Sequence, residues 1–261
     1  MSTLVWHPVG QHMFEAGIDR GVLYIDGEGF PWSGLVSVNE TPSGGEPRPY
    51  YLDGVKRLNL SSKVEYEAII TALFSPPEFD DCDGLDSLRP GLLVSQQAKK
   101  SFGFCYRTRI GNDTSNIDHG YKIHIIYNAL ATPTDHNYET INGSPSPTLL
   151  SWRITTTPIP IPEAVRSSHL VIDTTRALPF AVAELEAILY GTELSDPRLP
   201  DPEEIISIFT DSSTFLVIDL GSGQFEISGS DLAVFMLSPG QYQITHDNVV
   251  PVDETRAQIS S

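Results

Sequence analysis

The feature that most constrains this chain is its punctuation: short runs of β-branched and aromatic residues, each closed by Gly, Pro or Asp before it reaches the length of a helix. VLYID (22–26), GLVSVN (34–39) and GVKRLNL (54–60) come first, then FGFCYRTRI (102–110) and YKIHIIYN (121–128), with WRITTT from Trp152 and HLVIDT from His169. Gly and Pro contribute 20 residues each, which suits a loop-rich, strand-dominated chain with one or two helices better than a helical bundle.

The segment SSKVEYEAIITALFSPPEF reads two ways. As a helix it has Ser62 at the N-cap and Glu65 three residues on. As a strand it puts Val64, Tyr66, Ala68, Ile70, Ala72 and Phe74 on one face, with Glu65, Glu67 and Thr71 opposite. The strand is favoured because the alternation is long and ends at Pro76-Pro77.

Helices are expected late. Pro179 suits a first turn, Ala181, Leu185 and Ile188 form a stripe and Gly191 supplies a stop, predicting a helix over 179–190. A second begins at Asp201, with Pro202 at its first position and Glu204 at the third. TFLVIDL, QFEIS, AVFML and QYQIT then follow as brief β runs, so the expected division is a main β domain over 1–209 and a small β-rich extension over 210–261.

One spacing is out of proportion. A hairpin needs only two turn residues, yet VNETPSGGEPRPYYLDG places a long polar, Gly- and Pro-rich stretch between the runs at 34–39 and 54–60. A loop of that length costs entropy unless something orders it, and a partner subunit can do so.

Charge narrows the class of partner. The 34 acidic and 16 basic residues give a net charge of −18, against binding nucleic acid by phosphate neutralisation. Residues 195–261 hold 11 acids and two bases, Arg198 and Arg256. The N-terminus has neither the basic start nor the apolar stretch of a signal peptide, and no apolar segment is long enough to span a membrane. Cys82 and Cys105, the two cysteines, fit a reducing compartment.

Catalytic vocabulary is sparse. GxGxxG fails because Trp32 stands where the third glycine belongs, and neither a P-loop nor GxSxG occurs. His119 and His124, five apart, fall on opposite faces of a strand and cannot share an ion there. Asp80, Asp81, Asp83 and Asp86 lack the spacing of a calcium loop and read as an acidic surface turn. Cys105 alternates with aromatics and reads as a core residue. Trp32, Tyr50, Tyr51, Tyr106 and Tyr127 offer material for a sugar platform, although strand packing explains them more simply.

The run GVLYIDGEGFPWSGLVSVNETPSGGEPRPYYLDGVKRLNL, followed by EYEAIITALFSPPEFDDCDG and QQAKKSFGFCYRTRIGNDTSNIDHGYKIHIIYNALA, resembles the major tail (tail tube) proteins of long-tailed, non-contractile phages of Gram-positive hosts. LLSWRITTTPIPI, HLVIDTT and AELEAILYG extend the likeness over about residues 15–210, and the β-rich end shares it less clearly.

The resemblance implies a β-sandwich or barrel-like core with a flanking helix, six subunits closing into a ring, and rings stacking into a tube that conducts DNA. It implies a virion tail location after assembly in the host cytoplasm, with no enzymatic step, cofactor or metal. Implied partners are further copies of the chain and other tail proteins (tape measure, tail terminator, baseplate), with double-stranded DNA only in transit and no membrane. Thr41 to Pro49 would then be an intersubunit arm, with Thr41, Gly44, Gly45, Glu46, Arg48 and Tyr50 as candidate contacts, disordered until a neighbour packs on it. An acidic wall would repel passing DNA. The alternatives are a tail-end or baseplate hub of the same fold and a carbohydrate-binding module.

Overall fold

The computed structural model describes residues 6, 8–132, 134, 138, 140 and 147–211, together with the backbone of four later strands. Two compact units are present, Met1–Glu203 and Glu204–Ser261.

In the first unit the strands are β1 (Phe14–Ile25), β2 (Glu28–Trp32), β3 (Leu35–Glu40), β4 (Ser43–Gly44), β5 (Pro47–Leu52), β6 (Val55–Ser61), β7 (Val64–Glu65) and β8 (Glu67–Ala72). A single helical turn, α1 (Asp80–Asp83), precedes β9 (Asp86–Arg89) and β10 (Leu92–Val94). Then come β11 (Phe102–Asn112), β12 (Asn116–Thr132), β13 (Leu150–Thr156), β14 (His169–Asp173) and α2 (Pro179–Tyr190). Helix α3 (Pro202–Asp211) begins at the division between the units.

The fold is mainly β, as expected, and every pairing in the main sheet is antiparallel. Seven strands run in the order β2-β1-β11-β12-β13-β8-β3, and β14 joins as an eighth against β12. The sheet is strongly curled. Trp32 on β2 and Trp152 on β13 lie four strands apart in that order, about 19 Å on a flat sheet, yet their ring centroids are 5.5 Å apart. Only Ser33 and Gly34 separate β2 from β3, so the chain ties the two ends of the sheet together.

Inside the curl Trp32, Phe79, Phe104 and Trp152 form an aromatic knot with centroid separations of 4.8 to 5.6 Å in tilted and edge-on arrangements. Ala68, Ile70 and Ala72 line the same core, which settles the ambiguous segment as strand β8. It lies between β13 and β3, where Ile69, Ile70 and Thr71 suit a pleated surface.

Strand β11 is buried on both faces. Phe102, Phe104 and Tyr106 belong to the aromatic core, while Gly103, Cys105 and Arg107 face the other way. At Gly103 a Cβ would come within 2.4 Å of the Leu199 side chain, so only glycine admits the segment after α2 so close to the strand. Helix α2 lies on this outer side: Tyr24 donates a hydrogen bond to the Leu189 carbonyl at 2.8 Å, and the Arg107 guanidinium reaches Glu186 at 3.3 Å. The helix spans the expected residues and stops at Gly191, whose φ is 76°. Its buried stripe is Ala181, Leu185 and Leu189, four residues apart, with Leu189 rather than Ile188 in the last place.

Helix α3 starts at Pro202, as expected from the sequence, and the second unit then carries two antiparallel hairpins, β15 (Leu216–Gly221) with β16 (Gln224–Ser228) and β17 (Leu232–Ser238) with β18 (Gln241–His246). The suggested Asn142-Gly143 turn lies outside the described residues.

Candidate assembly surface and the polar cluster at its root

The long polar segment is not a loop. Residues 47–61 form a two-stranded ribbon in which β5 pairs with β6, and the reversal is made by Asp53 and Gly54. Both have positive φ, 51° and 75°, as a tight two-residue hairpin turn requires. The arm therefore continues well beyond Pro49, and the run at 54–60 is its returning strand.

Register explains what the ribbon presents. Residues directly opposite share a face, so Arg48 with Leu60, Tyr50 with Leu58 and Leu52 with Val55 fall on one side. The opposite face carries Pro47, Pro49, Tyr51, Lys56, Asn59 and Ser61. The first face is apolar and uncovered: Tyr50, Leu52, Val55, Leu58 and Leu60 are between 51% and 57% exposed. Their joint apolar area is roughly 400 Å², as large as the biggest patches ordinary monomers show. A lone two-stranded ribbon is marginal in water, and covering this face would stabilise it.

The base of the arm is built more firmly. β4 pairs with β7, the Thr41 N–H donates to the Glu67 carbonyl at 2.8 Å, and the Gly45 N–H donates to Ser62 Oγ at 3.0 Å. Gly44 and Gly45 take consecutive positive φ values of 82° and 78°. A Cβ at Gly44 would lie 2.4 Å from the Lys63 carbonyl oxygen, so the neck admits no side chain there. Glu67 anchors the root by accepting hydrogen bonds from Arg153 at 2.6 and 3.1 Å. Hydrogen bonds from Ser43 and Arg153 hold its carboxyl below the usual range.

The six expected contact residues therefore separate. Thr41 is half-buried in the neck, Gly44 and Gly45 shape it, and Glu46, Arg48 and Tyr50 are exposed along the ribbon. The expectation of a disordered arm is corrected: the segment is a regular hairpin in the single chain, because backbone pairing satisfies its polar groups without a neighbour. Sequence reasoning missed the apolar face, since Tyr50, Leu52, Val55, Leu58 and Leu60 share a side only once the turn is placed at Asp53-Gly54 and the register shift after Tyr50 is known.

Beside the root lies a polar cluster. Glu40 ends β3, His124 is on β12 and His169 opens β14. In the β12–β14 pairing His124 stands opposite Val171, which makes His169 its diagonal neighbour on the same face. His124 Nδ1 and His169 Nε2 are 3.1 Å apart, and Glu40 Oε1 is 3.6 Å from the first and 3.9 Å from the second. Tyr106 donates its hydroxyl proton to Glu40 Oε1 at 2.7 Å and stacks on His124 with centroids 4.5 Å apart. Thr108 Oγ1 is 3.1 Å from His124 Nε2. Burial, helped by the neighbouring His169, lowers the His124 pKa to about 4. Glu40, Tyr106, Thr108 and His124 also line an open cavity of about 480 Å³.

Other sequence candidates resolve into structural roles. His119 approaches Asn112 at 3.2 Å and does not join His124. Asp83 faces Lys99 at 3.7 Å, and Asp81 faces Lys100 at 2.9 Å. Cys105 is fully buried, and burial pushes its thiol up to about 12, leaving it protonated and inert. Trp32, Tyr106 and Tyr127 are core residues at 1%, 2% and 5% exposure, so a sugar platform built on them is ruled out and only Tyr50 and Tyr51 of that set reach the surface.

No protein family and no curated protein matches the sequence. Among solved structures, the chain is similar to a chain of the anti-feeding prophage baseplate, at 11% identity and a TM-score of 0.33, covering 66% of this chain and 97% of that one. A chain from the sheath–tube complex of an extracellular contractile injection system in its extended state aligns at 12% identity and a TM-score of 0.30, over 65% and 94%. A chain from the cap that terminates the anti-feeding prophage tube aligns at 9% and 0.31, over 66% and 96%.

Proposed function

We propose that this chain is a virion structural protein, the repeating subunit of a phage tail tube, and that its work is assembly rather than catalysis. The observation that carries this reading is the β5–β6 arm, whose apolar face carries five side chains that the described residues leave half-exposed. A neighbouring subunit of the same kind would bury that face, and the resemblance of the sequence to tail tube proteins supports such a neighbour. Six subunits would close a ring, and arms reaching from one ring to the next would stack rings into a tube. Heterologous contacts of this kind, in which an arm meets a different surface on its neighbour, propagate without limit along an axis.

The net charge of −18 suits a conduit for DNA, since a wall that neutralised phosphates would hold the genome instead of passing it. Tape measure, terminator and baseplate proteins are the other partners this role requires. The test is sedimentation velocity over a range of concentrations, on the full chain and on a variant in which residues 46–61 are replaced by a short turn. The full chain should form large species, and the armless variant should remain a folded monomer by circular dichroism. Equal association by both would remove the arm from the assembly.

A further inference from the structure

We infer that Glu40, His124 and His169 form a binding site for a divalent transition-metal ion, with zinc the best match, at the root of the arm.

Three facing donor atoms, Glu40 Oε1, His124 Nδ1 and His169 Nε2, make a triangle with sides of 3.1, 3.6 and 3.9 Å. The point equidistant from its corners lies about 2.1 Å from each, within the usual range of zinc–nitrogen and zinc–oxygen bonds. All three groups can therefore ligate one ion without backbone movement. The donor set also selects the metal: two imidazoles and one carboxylate suit zinc and its neighbours, whereas calcium and magnesium prefer oxygen ligands throughout.

The surroundings are those a metal site needs. The imidazoles are mostly buried, with side chains 10% and 15% exposed, while Glu40 at 40% keeps a path to water. His124 Nε2 has Thr108 Oγ1 at 3.1 Å, which can accept its N–H and leave the Nδ1 lone pair for the ion. Tyr106 orients the carboxylate through its 2.7 Å hydrogen bond. The buried Tyr66 hydroxyl lies beside the cluster, with Tyr106 and Glu40 as its polar neighbours. The adjoining cavity gives a fourth position to water.

Without an ion the two histidines share one proton. Their ring centroids are 5.3 Å apart while the facing nitrogens are 3.1 Å apart, so the rings meet nearly edge to edge in an N–H···N hydrogen bond. Binding moves that proton from His169 Nε2 to its other ring nitrogen, Nδ1, by exchange with solvent, and rotation about the broad terminal torsion of each histidine turns both lone pairs toward the ion. Position gives the ion a role. Glu40 is the last residue of β3, immediately before the arm's neck, and His124 and His169 sit on adjacent strands of the main sheet. A bound ion would fasten the leading leg of the arm to the sheet, whether or not the chain forms a tube.

The test uses the full chain stripped with a chelator and dialysed against buffered zinc, with bound metal measured by mass spectrometry. One zinc per chain is expected, with a melting temperature higher by about 5–10 °C when zinc is a hundredfold above its Kd. Cobalt(II) in its place should give the intense visible absorption of a four-coordinate site. Glu40→Gln and His169→Gln should each weaken binding by at least about tenfold, while His12→Gln, on an exposed histidine paired with Asp113, should leave it intact. Should His169→Gln fail to fold, Glu40→Gln, at a half-exposed position, decides. Less than a tenth of an equivalent bound at 100-fold excess zinc, or binding indifferent to Glu40→Gln, would overturn the site.

Discussion

Replacing Leu58 by Ser tests the assembly surface quantitatively. Leu58 stands opposite Tyr50 in the middle of the apolar face and is 53% exposed, so the free subunit should lose less than about 0.5 kcal/mol of stability. In an assembly that buries the face, the same change forfeits roughly 80 Å² of apolar contact, about 2 kcal/mol at 25 cal/mol per Å². A loss of that size raises the critical concentration for assembly about 30-fold. Pelleting across a concentration series, with circular dichroism to confirm the fold, measures the shift. Asn59→Ser, one residue away on the opposite face, should change it less than about threefold. A Leu58→Ser variant that assembles at the wild-type concentration would refute the idea that this face is the contact.

Three further outcomes follow from the geometry. Arg107→Met should lower unfolding free energy by about 3 kcal/mol in denaturant titration, because it strands Asp19 and Glu186 beside a largely buried site, while Arg109, 3.1 Å from Asp19, keeps the loss at the low end for a broken buried pair. Burial alone would raise the Asp19 pKa, but hydrogen bonds and charge from Arg107 and Arg109 outweigh it and hold the carboxyl below its ordinary value of 3.8. Its stabilising contribution is thus complete above about pH 5 and lost as pH falls further, so Asp19→Asn should flatten the fall in stability between pH 5 and 2, as read by thermal melts. Gly44→Ala forces a Cβ to 2.4 Å from the Lys63 carbonyl and a strained φ of 82°, so protease cleavage within 45–62 should accelerate while the melting temperature of the sheet domain barely moves.

Local sequence carried the elements well where one principle acted alone. Helix α2 follows from Pro179, its apolar stripe and Gly191, and strand β8 from strict alternation, since those patterns need no knowledge of neighbours. Failures came where pairing decides. The polar composition of 41–49 hid a strand because Pro and Gly are rare in central strands but tolerated in an exposed ribbon whose outer edges pair with no other strand among the described residues. His119 is the histidine nearest His124 in sequence, but the true companion of His124 is His169, which lies 45 residues away and meets it only through the β12–β14 register. Trp32 was a candidate surface aromatic until the curl of the sheet closed it against Phe79, Phe104 and Trp152.

Negative-stain electron microscopy of the purified full chain, concentrated well above the range used for sedimentation, tests tube formation most directly. Hollow tubes of stacked six-fold rings, absent from the variant lacking residues 46–61, are the expected result. A full chain that stays as single particles at every concentration, with the arm still exposed to protease, would contradict it.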